Sequence, residues 1–93
     1  MTATRINLAP IVQTFTAGTS AVAAGSMFYF NVPYTVPAGY QIGGVIGYST
    51  GSRYLQVSNL DWDDSRVRIG GRNNATGQAD ANTATVHVLF VPA

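Results

Sequence analysis

The chain contains no cysteine, no lysine and no glutamate. Without cysteine there is neither a disulfide framework nor a thiolate for a metal, and the redox compartment stays open. Lysine and glutamate are among the best helix formers on exposed surfaces, so their absence argues against amphipathic helices. Charge of either sign is scarce: five Arg and four Asp make 10% of the 93 residues, against roughly 25% in an ordinary soluble domain. The formal net charge of +1 comes from dispersed arginines and gives no electrostatic footprint for nucleic acid. No stretch approaches the ~20 consecutive apolar residues of a membrane helix, and the opening Met1-Thr2-Ala3-Thr4-Arg5 lacks the apolar run of a signal peptide. Neither membrane insertion nor an export signal is expected, and 93 residues suit a single domain over 1–93.

What is present in quantity is ten Thr, ten Val and ten Gly, with five Tyr and four Phe. This composition suits half-buried pleated strands joined by tight turns. Period-two alternation is clearest in Ser26-Met-Phe-Tyr-Phe-Asn-Val32, where Phe28, Phe30 and Val32 share a face. Residues 4–18 supply one or two weaker strands interrupted by Pro10, which has no amide for a ladder; residues 1–15 read as an N-terminal strand or arm. Pro37 and Gly39 form a turn into residues 41–50, an apolar, Gly-rich stretch expected as a central strand covered on both sides or as one approached closely by another backbone. Thr50-Gly51-Ser52 reads as a hairpin turn into 53–62, with Leu55 and Val57 inward.

Residues 65–73 place Val67 and Ile69 inward and Arg66 and Arg68 outward. A polar loop over 73–82 leads to a last strand at 83–91 with Val86, Val88 and Phe90 on one face. Six or seven strands at such spacings predict an all-β, single antiparallel β-sandwich or jelly-roll-like domain. Nine charges protect little surface, so copies of the chain are expected to cover part of it as a homo-oligomer.

Six of the nine charges cluster at Asp61, Asp63, Asp64, Arg66, Arg68 and Arg72. Three nearby carboxylates offer oxygens for calcium, but their spacing lacks the Gly and distant Glu of an EF-hand loop. A glycosidase needs two carboxylates flanking a cleft, for which this chain is short. Asp63-Asp64-Ser65 instead have the chemistry of a turn, and Asp61 or Asp63 can pair with Arg66 or Arg68 across a hairpin. Gly47-Tyr48-Ser49-Thr50-Gly51 matches the nucleophile-elbow pattern, yet a strand follows it where an elbow needs a helix. His87, the single histidine, lacks partners for a zinc site. We therefore expect no catalytic residues, no metal and no cofactor. Asn74-Ala75-Thr76 is a glycosylation sequon by pattern only.

Period-two counting from Leu55 and Val57 puts Tyr54, Gln56, Ser58, Leu60 and Trp62 on the opposite face unless a bulge intervenes. Such an aromatic stripe suits a subunit interface or ligand platform. The expected ligand contacts are Trp62, Asp63, Asp64, Asn73 and Asn74. The expected interface residues are Tyr54, Gln56, Leu60 and His87.

The order Ala24 to Ser52, then Val57-Ser-Asn-Leu-Asp-Trp62, Arg66 to Thr76 and Thr83 to Val91 resembles the small C-terminal β-sandwich domains of phage tail-fibre and baseplate receptor-binding proteins. The resemblance spans about 16–92 and rests on Pro37, Gly39 and Tyr40 as a turn, Gly44 to Tyr48 as a strand, and Arg72-Asn73 as a strand end. It implies a homotrimer at the tip of a tail fibre or on a virion surface, contacting a host surface glycan or polymer; an assembly role would instead take capsid or tail proteins as partners at a capsid surface. Two readings of other classes stand beside it: a trimeric capsid decoration protein, and a small trimeric or hexameric lectin.

Overall fold

The structure, a computed structural model, describes residues 9–93. The first half of the expected N-terminal strand or arm lies outside the described residues. Six strands follow: β1 (Ile11–Gly18), β2 (Met27–Pro33), β3 (Tyr40–Ser49), β4 (Leu55–Trp62), β5 (Arg66–Asn73) and β6 (Thr83–Pro92). They form two antiparallel three-stranded sheets, ordered β1-β6-β3 and β2-β5-β4. Their inner faces share one apolar cluster, so the all-β, sandwich-like expectation is met.

Alternation builds that cluster. In β2 the side chains of Phe28, Phe30 and Val32 are buried while Met27, Tyr29 and Asn31 are exposed. In β6 Ala84, Val86, Val88 and Phe90 are all fully buried. Each large side chain so buried contributes roughly 1.5–3 kcal/mol of transfer free energy. Phe15 of β1 and Tyr34, just after β2, each approach Phe90 with ring centroids 6.2 Å apart, linking the two layers.

Two expectations are corrected. The residues after Thr50 do not turn a hairpin: β3 and β4 lie in different sheets, so 50–54 is a crossover. The strand at 41–50 is not central. β3 is an edge strand, and β6 and β5 hold the central places. Its mixed apolar pattern has another cause, two bulges at Gly43 and Ile46 that break simple alternation. The turn expected at Pro37 to Gly39 is present: the Tyr40 amide donates to the Pro37 carbonyl at 3.1 Å, with Gly39 at φ 84°, where a side chain would be strained.

The most consequential departure is in β4. Val57 pairs with Gly71 and Asn59 with Gly70, leaving Ser58 as an extra residue. This bulge reverses the phase of the rest of the strand. Leu60 and Trp62 pair with the inward Ile69 and Val67 and share their face, and Leu60 packs against the core. The continuous outward stripe of Tyr54, Leu60 and Trp62 does not exist. Asn59 and Asp61 face outward in their place.

Candidate functional site

The outer face of the β2-β5-β4 sheet carries a shallow depression of about 370 Å³ lined by Tyr29, Asn31, Asn59, Asp61, Arg66 and Arg68. Strand register explains the assembly. Tyr29 of β2 and Asn59 of β4 both pair with Gly70 of β5, and Asn31 and Asp61 both pair with Arg68. Two parallel rows therefore cross three strands: Tyr29-Gly70-Asn59 and Asn31-Arg68-Asp61.

Gly70 shapes the first row. A Cβ on it would lie 2.7 Å from Tyr29 Cε1 and 3.1 Å from Asn59 Nδ2. The missing side chain thus lets the tyrosine ring settle against the backbone of β5, a packing that compensates for glycine in a sheet. The ring still leaves 60% of the Tyr29 surface exposed. Gly71 is required for a different reason: a Cβ there would meet the Gln56 carbonyl oxygen at 1.9 Å, so the β4–β5 pairing admits no larger residue.

The second row is held by charge. Arg68 donates through Nε and a terminal nitrogen to the two Asp61 carboxylate oxygens, each at 2.9 Å. This forked geometry fixes both side chains more firmly than a single contact. Hydrogen bonding from Arg68 holds the Asp61 carboxyl below the usual carboxylate range, and the same pair raises the Arg68 guanidinium. Arg66 reaches Asp63 at 3.3 Å. The expected cross-hairpin pairing is therefore realised as Asp61 with Arg68 and Asp63 with Arg66.

The acidic corner itself is a hairpin tip between β4 and β5. Asp63 Oδ1 accepts the Ser65 amide at 2.9 Å, the Ser65 hydroxyl at 3.1 Å and the Arg66 amide at 3.0 Å. These bonds, the Ser65 amide first, lower the Asp63 carboxyl. The buried Tyr34 hydroxyl donates to the Asp63 carbonyl oxygen, and the Tyr34 amide donates to Ser65 O at 3.0 Å, tying the tip to the core. Burial, with the nearby charges of Asp64 and Asp63, raises the Tyr34 phenol. Among the described residues no group of three or more His, Cys, Asp or Glu converges as a metal site.

The residues expected to contact a ligand fall into separate places. Trp62, Asp63 and Asp64 lie at or beside the hairpin tip; Trp62 faces the inner side yet remains 43% exposed. Asn73 is corrected outright, because it is fully buried. Its amide nitrogen donates to the carbonyls of Val22 and Gly77 at 3.0 Å, and its oxygen accepts the Ala75 amide at 2.9 Å. It fastens a loop and presents nothing to solvent. Asn74 is exposed and donates to Gln56 Oε1. Both line a second, more open depression of about 590 Å³ with Tyr48, Arg53 and Tyr54, near the crossover between β3 and β4.

The residues expected at an interface likewise do not share a face. Tyr54 and Gln56 border the second depression, Leu60 packs inward, and His87 lies on the outer face of the other sheet. His87 Nδ1 is 2.9 Å from Thr14 Oγ1, while the Ser49 hydroxyl accepts the Gly51 amide at 3.1 Å. The serine of the elbow-like pattern is thus engaged with its own turn, and the histidine with a threonine.

Tyr29, Asn31 and Asn59 were not anticipated. The alternation of β2 exposes the first two, but only the cross-strand partner Gly70 turns Tyr29 into a platform. Asn59 became visible only with the bulge. In comparisons with protein families, curated proteins and solved structures, nothing matches this chain.

Proposed function

We propose that this protein is a non-enzymatic binding module that contacts a glycan through the outer face of the β2-β5-β4 sheet. The observation that carries the reading is the exposed Tyr29 ring seated against Gly70 and rimmed by planar polar side chains. A pyranose has an apolar C–H face and a periphery of hydroxyls. The ring meets the first, and Asn31, Asn59 and the Asp61–Arg68 pair offer donors and acceptors to the second. All of these side chains stand on paired strands, which hold a site more tightly than loops do. Because Asp61 and Arg68 neutralise one another, the surface suits an uncharged sugar. Receptor contact by a phage tail-fibre or baseplate domain on a virion is the biological setting that the sequence resemblance supports, and a stand-alone lectin would use the same surface.

A panel of bacterial surface polysaccharides and their repeating-unit oligosaccharides, immobilised and probed with the purified protein, tests this. Tyr29→Ala should weaken the best interaction about five- to tenfold, since a stacked ring contributes about 1–1.5 kcal/mol and 1.4 kcal/mol is a factor of ten. Gly70→Ala should weaken it too, by pushing the ring off its seat. Binding that survives Tyr29→Ala undiminished, or no binding to any glycan in the panel, would contradict the proposal.

A further inference from the structure

Formal charge is divided unequally between the two sheets. The strands β1, β3 and β6 contain no Asp, Glu, Lys or Arg at all. The charges among the described residues lie on β4, on β5 or in the connecting segments. The outer face of the β1-β6-β3 sheet presents Val12 on β1 and Leu89 and Val91 on β6, with Thr14, Thr85 and His87 among them. Val12 is 52% exposed, and Ile46, in the second bulge of β3, is 59% exposed. Leu89 and Val91 lean over Gly43, whose absent side chain leaves the surface low there; a Cβ at that position would lie 3.0 Å from Val91 Cγ1. The polar pair Thr14 and His87 bond to each other across β1 and β6.

We infer that this face is a self-association surface whose occupant is a second copy of the same chain. An uncharged face is matched best by another uncharged face, and the same face on a second copy has the required chemistry. A net charge of +1 sets up almost no repulsion between copies. Three strands about 4.8 Å apart and roughly 30 Å long cover on the order of 450 Å². Two copies packed face to face then bury about 900 Å² in all, just short of the roughly 1,000 Å² that a specific interface should clear. The edge strands β1 and β3, lacking the charges and lysines that guard exposed edges, border the same surface and extend it. Packing in this way turns the Tyr29 face of each copy outward. The inference does not depend on what that face binds.

Sedimentation velocity over a concentration series from about 5 to 500 µM, with Val12→Arg and Leu89→Arg as separate variants, tests it. The wild-type protein should sediment as an assembly larger than the 9.8 kDa chain. Each arginine, placed opposite its counterpart or against an apolar neighbour, should weaken association at least tenfold, with the thermal unfolding transition retained. Tyr29→Ala, on the other sheet, should leave the assembly intact. A wild-type protein that stays monomeric throughout overturns the inference. So does association undiminished in both arginine variants, which would place the contact elsewhere.

Discussion

A single asparagine shows how far a polar residue's role depends on burial. Asn73 closes β5 and makes three side-chain hydrogen bonds to backbone groups at Val22, Ala75 and Gly77 while fully enclosed. Replacing it with alanine leaves buried donors and acceptors without partners, each at roughly 1–3 kcal/mol before relaxation. Asn73→Ala should therefore destabilise the fold by about 2–4 kcal/mol in urea unfolding, whereas Asn74→Ala, on the exposed neighbour, should change stability by under about 0.5 kcal/mol. Equal small effects would mean that the loop does not depend on Asn73. In sequence the two asparagines look alike, and both read as adaptable loop surface. What separates them is contact with Val22, fifty-one positions away, which no local pattern reports.

At the scale of the strand and its partner, the β4–β5 hairpin carries most of the charge and the clearest response to pH. Asp61 and Asp63 ionise more readily in the folded chain than in the unfolded one. Their contribution to stability is therefore fully present above the unfolded carboxylate value of about 4 and is lost as pH falls through their lowered folded values. Unfolding midpoints measured from pH 7 down to pH 2 should fall on the acid side, and the double variant Asp61→Asn with Asp63→Asn should flatten that fall. An unchanged acid limb in the double variant would show that the two carboxylates are unperturbed by their arginine and amide partners.

The same hairpin shows what was legible in the sequence. Asp63-Asp64-Ser65 announced a turn through side chains that bond their own backbone, and the structure has that turn. Val67 and Ile69 inward and Arg66 and Arg68 outward followed from clean alternation. The face of Leu60 and Trp62 did not, because Ser58 inserts one residue and reverses the count. A bulge is a property of pairing between two strands, so neither strand shows it alone. Gly43 and Ile46 disturb β3 in the same manner. Thr50 to Ser52 has hairpin composition, yet the chain passes there to the other sheet, since turn residues permit a reversal without saying which strand comes next.

For the whole molecule, the two sheets present opposite chemistry. One outer face is uncharged, and the other carries Tyr29, paired charges and asparagines over a glycine floor. Low charge in the composition was visible at once; its partition between sheets emerged only when β1, β3 and β6 came together from distant parts of the chain. A binding module can use such a division, keeping self-association on one face and ligand on the other, so that assembly multiplies weak sites by raising effective concentration. The most direct test is a heteronuclear NMR titration with the best-binding oligosaccharide from the glycan panel. The largest shift changes should fall on Tyr29, Asn31, Asn59, Arg68 and Gly70, with β1 and β6 scarcely affected. Changes centred instead on Tyr48, Tyr54 and Asn74, or on Val12 and Leu89, would contradict that placement.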